Sequence, residues 1–193
     1  NDDNDDDDQA SPASGFPMEA DGSPTVFRVP ASFESARNDG ERLRFALQEW
    51  AALSPAHAAA AKLSWASLTK RWFGVSAASG YLQLSETDLE KARRDSLSAV
   101  HTLSEDETVA MLATGPSRIT LPPEYRFLSQ MREVMSSGAD MSKIAAEEGF
   151  GFNAAKWRDH ISDTIISELS PRRQYPKAAA ELRARLATEK DLE

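Results

Sequence analysis

At 193 residues with no cysteine, the chain is long enough for one ordinary hydrophobic core or two small ones, and it excludes disulfide frameworks, thiolate metal sites and cysteine nucleophiles. The net charge of −9 is concentrated at the start: the first 22 residues carry eight acids and no base, and setting those aside from the 31 leaves 23 acids against 22 bases. The body is therefore near neutral and projects no broad basic field toward nucleic acid or anionic lipid.

Residues 1–24 combine an Asp run with Ser, Pro and Gly, a composition that cannot bury enough apolar surface to offset the entropy of ordering, so a disordered acidic tail is expected. The chain opens on Asn1, with no basic or apolar leader, and reads as a fragment or a processed product. Thr25 to Val29 alternates like a short extended segment, and Pro30 keeps it from being a central strand.

From Asn38 the pattern turns helical. Leu43, Phe45, Ala46, Trp50 and Leu53 recur mostly at three- and four-residue steps and predict a buried stripe. Ser54-Pro55 ends that helix and starts the next, because serine caps free N–H groups and proline at the first position loses no needed donor. The second helix is predicted to run to Phe73, with Gly74 as a left-handed cap; Trp50, Trp65 and Trp72 are core candidates. The stretch 51–65 is broken by Ser54, Pro55, His57, Lys62 and Ser64, so it cannot supply the roughly 20 apolar residues of a membrane helix. No membrane contact is expected, and a cytoplasmic setting is.

Ser85 and Asp88 resemble a capping box before a third helix to about Leu103, and Ser104 with Glu107 forms a fuller one, predicting a short helix over 105–113. Gly115, Pro116, Pro122 and Pro123 mark 114–123 as an internal boundary. Beyond it the pattern predicts a helix from Tyr125 to about Ser136, helices over 141–148 and 153–169, and a last one over 176–189. The expected fold is all-α: seven to eight helices in two packed halves, 25–114 and 115–193, behind the tail at 1–24.

One local pattern rises above background. Met141 to Gly149 followed by Phe150 to Ile161 looks like a helix-turn-helix over 139–169, with small Ala145 allowing close helix approach and Gly149 making the turn. The second helix would face the major groove with Asn153, Lys156, Arg158 and His160, asparagine suiting adenine and arginine suiting guanine or phosphate; Arg172 and Arg173 would grip the backbone. In the usual frame Arg158 falls on a core position, whereas a shift of one residue puts Ala154 and Trp157 inward at the expense of a shorter turn.

Enzyme signatures are missing: there is no Gly-x-Ser-x-Gly, Walker loop, Gly-x-Gly-x-x-Gly or His-Glu-x-x-His. His57, His101 and His160 have no metal-ligand spacing. The sequence thus predicts a non-enzymatic regulator without cofactor that binds double-stranded DNA through 139–169. The alternative is a helical adaptor or scaffold acting through protein partners or a homodimer, with Leu182 and Leu186 of the last helix as a docking stripe. A basic face around Lys156 would favour the first, and an apolar groove lined by the tryptophans the second.

Overall fold

In the computed structural model, which describes residues 16–75, 97, 99–142 and 156–190, helices begin where the sequence supplies caps. Asn38 sits in extended backbone and its side chain accepts from Glu41 N at 2.9 Å, opening α1 (Asp39–Ala51). Ser54 accepts from His57 N at 3.2 Å and Pro55 occupies the first turn of α2 (Pro55–Phe73), so two of the donors that a helix start orphans are satisfied. The expected buried stripe of α1 is only half realised. Leu47 and Trp50 pack against the core, but Leu43 and Leu53 are 38% and 68% exposed, because α1 packs chiefly on α2 and forms an outer layer.

The helix expected over 105–113 is a strand instead. β1 (Glu107–Leu112) pairs antiparallel with β2 (Gly115–Thr120) from Glu107↔Thr120 to Leu112↔Gly115. Gly115 takes φ 113° after the reversal, a region that side-chain-bearing residues rarely occupy. Half of the Ser104–Glu107 box forms, with Ser104 N donating to Glu107 Oε2 at 2.8 Å, but Glu107 N donates to Ser104 O at 3.3 Å and closes a turn ahead of the strand. Phe16 adds a short parallel bridge at Leu112, donating to Met111 O at 2.9 Å. β1 is covered on both faces: Ala110 and Leu112 enter the main core, while Val109 joins a smaller cluster with Val75, Val100 and Leu103.

Three further helices complete the described architecture: α3 (Phe127–Ser136), α4 (Trp157–Leu169) and α5 (Tyr175–Lys190). Five α-helices and a two-stranded antiparallel sheet among the described residues replace the all-α fold of seven to eight helices. The helix expected from Ser85 lies almost wholly outside the described residues, as does the turn of the helix-turn-helix-like segment, since nothing between Ser142 and Lys156 is described. Instead of two packed halves, one core draws on α2, β1, α3 and α4 together, and the residues flanking 115 contribute to it from both sides.

Of the tail expected to be disordered, residues 1–15 lie outside the described residues, and the rest is ordered. Residues 16–24 form a tight loop, with Met18 bridged to Pro24 and Glu19 N donating to Ser23 O at 2.8 Å. Phe16 is buried among Phe27, Trp72, Phe73 and Tyr125 at centroid separations of 5.4, 5.2, 4.8 and 5.6 Å. The buried ring and the backbone bonds of Phe16 to β1 together tie this polar stretch to the core. The Tyr125 hydroxyl accepts from Phe27 N at 3.0 Å and donates to Thr25 O at 2.7 Å, pinning the extended segment 25–29 onto the core. Burial pushes the pKa of this phenol up to about 12.

α5 is held mainly by charge. Arg132 of α3 binds Glu105 and, at 2.8 Å, Glu181, while Lys177 reaches Glu105 at 2.6 Å. Arg185 bonds Asp163 of α4 at 2.6 Å. Burial of Glu105 raises its pKa, but the hydrogen bonds and charges of Lys177 and Arg132 outweigh burial and bring the net shift below the ordinary 4.5. A carboxylate with a depressed folded pKa contributes stability above its unfolded pKa and loses it as pH falls through the folded value. Glu105→Gln should therefore cost about 1 kcal/mol at neutral pH and close to nothing well below pH 4.5, read as urea midpoints at the two pH values.

Candidate functional site

The DNA-reading residues expected from sequence are dispersed in the structure. Asn153 lies outside the described residues. Lys156 is exposed at the N-cap of α4. Trp157 is 4% exposed and anchors the helix, with Arg158 outside; Ala154, its companion in the shifted frame, lies outside the described residues. The Arg158 guanidinium lies 4.5 Å from the Trp157 ring centroid and donates to Met135 O at 3.1 Å, capping the end of α3.

His160 lines a depression of about 410 Å³ between α2 and α4, together with Ser64, Ser67, Lys70, Arg71 and Thr164. Its lining holds three basic or titratable nitrogen side chains and no acid.

Arg172 is not on the surface. It is 1% exposed and its Nη1 binds Glu168 Oε2 at 2.8 Å, while Nη2 donates to Glu107 O at 3.2 Å. A guanidinium buried against a carboxylate and a strand carbonyl is out of reach of a phosphate in solution. Its neighbour Arg173 is exposed, in a left-handed backbone at φ 52° that turns the chain from α4 toward α5.

A second concavity lies between α1 and α2, and of the tryptophans considered from the sequence as groove-lining it holds Trp65. α1 contributes Arg44, Leu47, Gln48 and Ala51, and α2 contributes Ala58, Ala61, Lys62 and Trp65. Both sets step by three, one and three, so each is a single helical face, and the two faces meet where the Ser54 turn folds α1 back onto α2. Gln130 and Glu133 of α3, with Glu124, close the far wall around about 490 Å³ of open groove. The small alanines leave the space, and Trp65 is fixed at its base by donating Nε1 to Glu124 O at 2.8 Å.

The polar chemistry of this groove is unusual in one respect. Arg44 lies 4.6 Å from the Trp65 ring centroid, half-buried, and its burial lowers the guanidinium pKa. Its Nε has no hydrogen-bond partner, and neither does Oε1 of Gln130, both being shielded from water. Gln130 uses its other amide atom, Nε2, to bond Glu124 O at 2.9 Å. At the rim, Lys62 and Glu133 pair at 2.7 Å and neutralise each other.

Among the described residues no three His, Asp or Glu side chains converge on a metal-sized site. No helix among them is long and apolar enough to cross a membrane. No protein-family model, curated protein or solved structure matches the chain, so the geometry alone carries the functional reading.

Proposed function

We propose that this protein acts through protein contacts, as a helical adaptor, and that the groove between α1 and α2 is where a partner docks. The observation that carries this is the open groove with Leu47, Ala51, Ala58 and Ala61 along α1 and α2, Trp65 at its base and the stacked Arg44 beside it. Concave aromatic-based sites rimmed by polar groups are where binding energy concentrates. The exposed face of α5 supports the same reading, since Leu182 and Leu186 are 45% and 54% exposed, one turn apart.

DNA binding is the second reading. It is favoured by the exposed Lys156 and by the acid-free lining of the His160 depression, to which α2 adds Lys70 and Arg71. Positive charge on the contact face is what duplex recognition needs, even on a neutral body.

One experiment separates the two. A photo-reactive benzoylphenylalanine is placed at Ala58, in the groove, and in a separate chain at Lys156. Irradiation in the producing cell should give a discrete adduct at Ala58 that survives nuclease and is lost on proteolysis. A nuclease-sensitive adduct at Lys156, with none at Ala58, would replace the adaptor reading by the DNA one.

A further inference from the structure

We propose that the depression between α2 and α4 binds a small organic phosphate, a phosphate group carried on an apolar body. This site is separate from the groove between α1 and α2 and does not depend on it.

From Leu63 to Arg71 the residues of α2 that reach the depression follow one another at three- and four-residue steps and form one helical face. His160 and Thr164, one turn apart on α4, form the opposite wall. Neither wall contains an acid, and the acids of the surrounding helices are already paired. α2 has none. The acid of α3, Glu133, bonds Lys62 at 2.7 Å. Those of α4, Asp159, Asp163 and Glu168, are held by Arg185 and Arg172 at 3.3, 2.6 and 2.8 Å. Lys70 and Arg71 thus have no carboxylate within 4 Å among the described residues. They stand in the last turn of α2, whose carbonyl end favours positive charge. That end carries about half a negative charge, too little to neutralise two cations, so this edge of the depression is net positive and attracts an anion.

The donors narrow the anion. Ser64, Ser67 and Thr164 add three hydroxyls to the lining, and Thr164, 8% exposed, belongs to the wall and not to the outer surface. Three hydroxyls and two cations suit the three strong acceptor oxygens of a phosphate monoester better than the two oxygens of a carboxylate. The space is about 410 Å³, within the range of small-ligand sites and more than a bare phosphate fills. Leu63, Leu68 and Met131 give the remainder an apolar lining. A duplex keeps its phosphates on a broad convex surface and brings no apolar group to these side chains. A small phosphate ester meets both the donors and the apolar part.

The test titrates phenyl phosphate into the isotopically labelled full chain and follows the amide resonances, with inorganic phosphate and a short random duplex as comparison ligands. Saturable shifts are expected at Ser64, Ser67 and Thr164. Phenyl phosphate should bind about 10-fold more tightly than inorganic phosphate, since its ring covers the apolar lining. The double variant Lys70→Gln, Arg71→Gln should bind about 10- to 100-fold more weakly than wild type, the usual loss of charge-assisted hydrogen bonds. Arg183→Gln, which removes an exposed cation of α5 outside the depression, should bind as wild type does. Both variants are first checked for a wild-type thermal transition, and the shift map of the wild-type chain needs neither. No saturable shift, shifts spread over basic residues outside the depression, or undiminished binding in the double variant would overturn the proposal. Equal affinity for inorganic phosphate would overturn the organic ligand, and displacement of phenyl phosphate from these residues by the duplex would give the depression to the DNA reading instead.

Discussion

Replacing Arg172 by methionine should destabilise the protein by about 3–5 kcal/mol, more than any exposed arginine would cost, because it strands a buried carboxylate. Glu168 is 1% exposed, and its Oε2 holds both Arg172 Nη1 at 2.8 Å and Val75 N at 2.9 Å. Arg172 also donates to Glu168 O at 2.7 Å and to Glu107 O at 3.2 Å, so one guanidinium links the end of α4, the start of β1 and, through Glu168, the exit of α2. Gly74 belongs to the same arrangement. It is extended, at φ −69° and ψ 155°, not the left-handed cap that its position suggests; a Cβ there would stand 2.8 Å from Glu168 Oε1 and 2.6 Å from Lys70 O. Glycine is needed for close approach of the carboxylate and not for a special dihedral. Urea unfolding reads the loss. The double variant Glu168→Gln, Arg172→Met keeps an acceptor for Val75 N and removes the unpaired charge, so it should recover to within about 1–2 kcal/mol of wild type. A single variant costing under about 1 kcal/mol would mean that the pair is not the lock between these elements.

The same residues show what a sequence reveals and what it hides. Asn38, Ser54 and Pro55 announced the starts of α1 and α2 because capping is local: donor and acceptor lie within three residues. Ser104 and Glu107 made the same kind of local bond, yet the chain beyond them is a strand. The choice was made at long range, by Thr108 Oγ1 donating to Phe73 O, by the Phe16 bridge and by Arg172 on Glu107 O. β1 also lacks the alternation that betrays a half-exposed strand, since its two faces meet two different clusters. Propensity is a weak prior where packing decides.

Arg172 carried a usable signal, its i,i+4 spacing from Glu168 across the end of α4; nothing local distinguishes such a pair on a surface from one inside. The groove was half legible in the same way. Its two lining faces can be read as helical stripes, and Trp65 stood out as a large aromatic, but the convergence of Gln130 and Glu124 on that corner depends on α3 crossing α2, a contact between residues some 60 positions apart, as in the Trp65–Glu124 bond. The orphaned Arg44 Nε is a property of the packed structure and has no trace in the chain's spacing.

Phe16→Ala is expected to cost about 3–4 kcal/mol, the range for deleting a buried phenylalanine side chain whose neighbours cannot collapse onto the gap. Composition alone predicts almost no cost, since residue 16 falls in a polar, Pro- and Gly-bearing stretch. The structure decides otherwise: the ring is 8% exposed and meets Phe73 edge-on at 4.8 Å and Tyr125 near-perpendicular at 5.6 Å. Beneath it, Tyr125 anchors Phe27 and Thr25, so the cavity opens where the extended segment, α2 and the strand meet. Two collective consequences follow. The thermal midpoint should drop by several degrees, and protection of the Phe16 and Ala113 amides, which donate to Met111 O and Phe16 O, should fall before that of α2, because the loop 16–24 loses its only buried aromatic ring among the described residues. Phe33→Ala is the control: that ring is 49% exposed and should cost no more than about 0.5 kcal/mol. Equal costs for the two variants would show that the segment before residue 25 contributes no more than a solvated linker does.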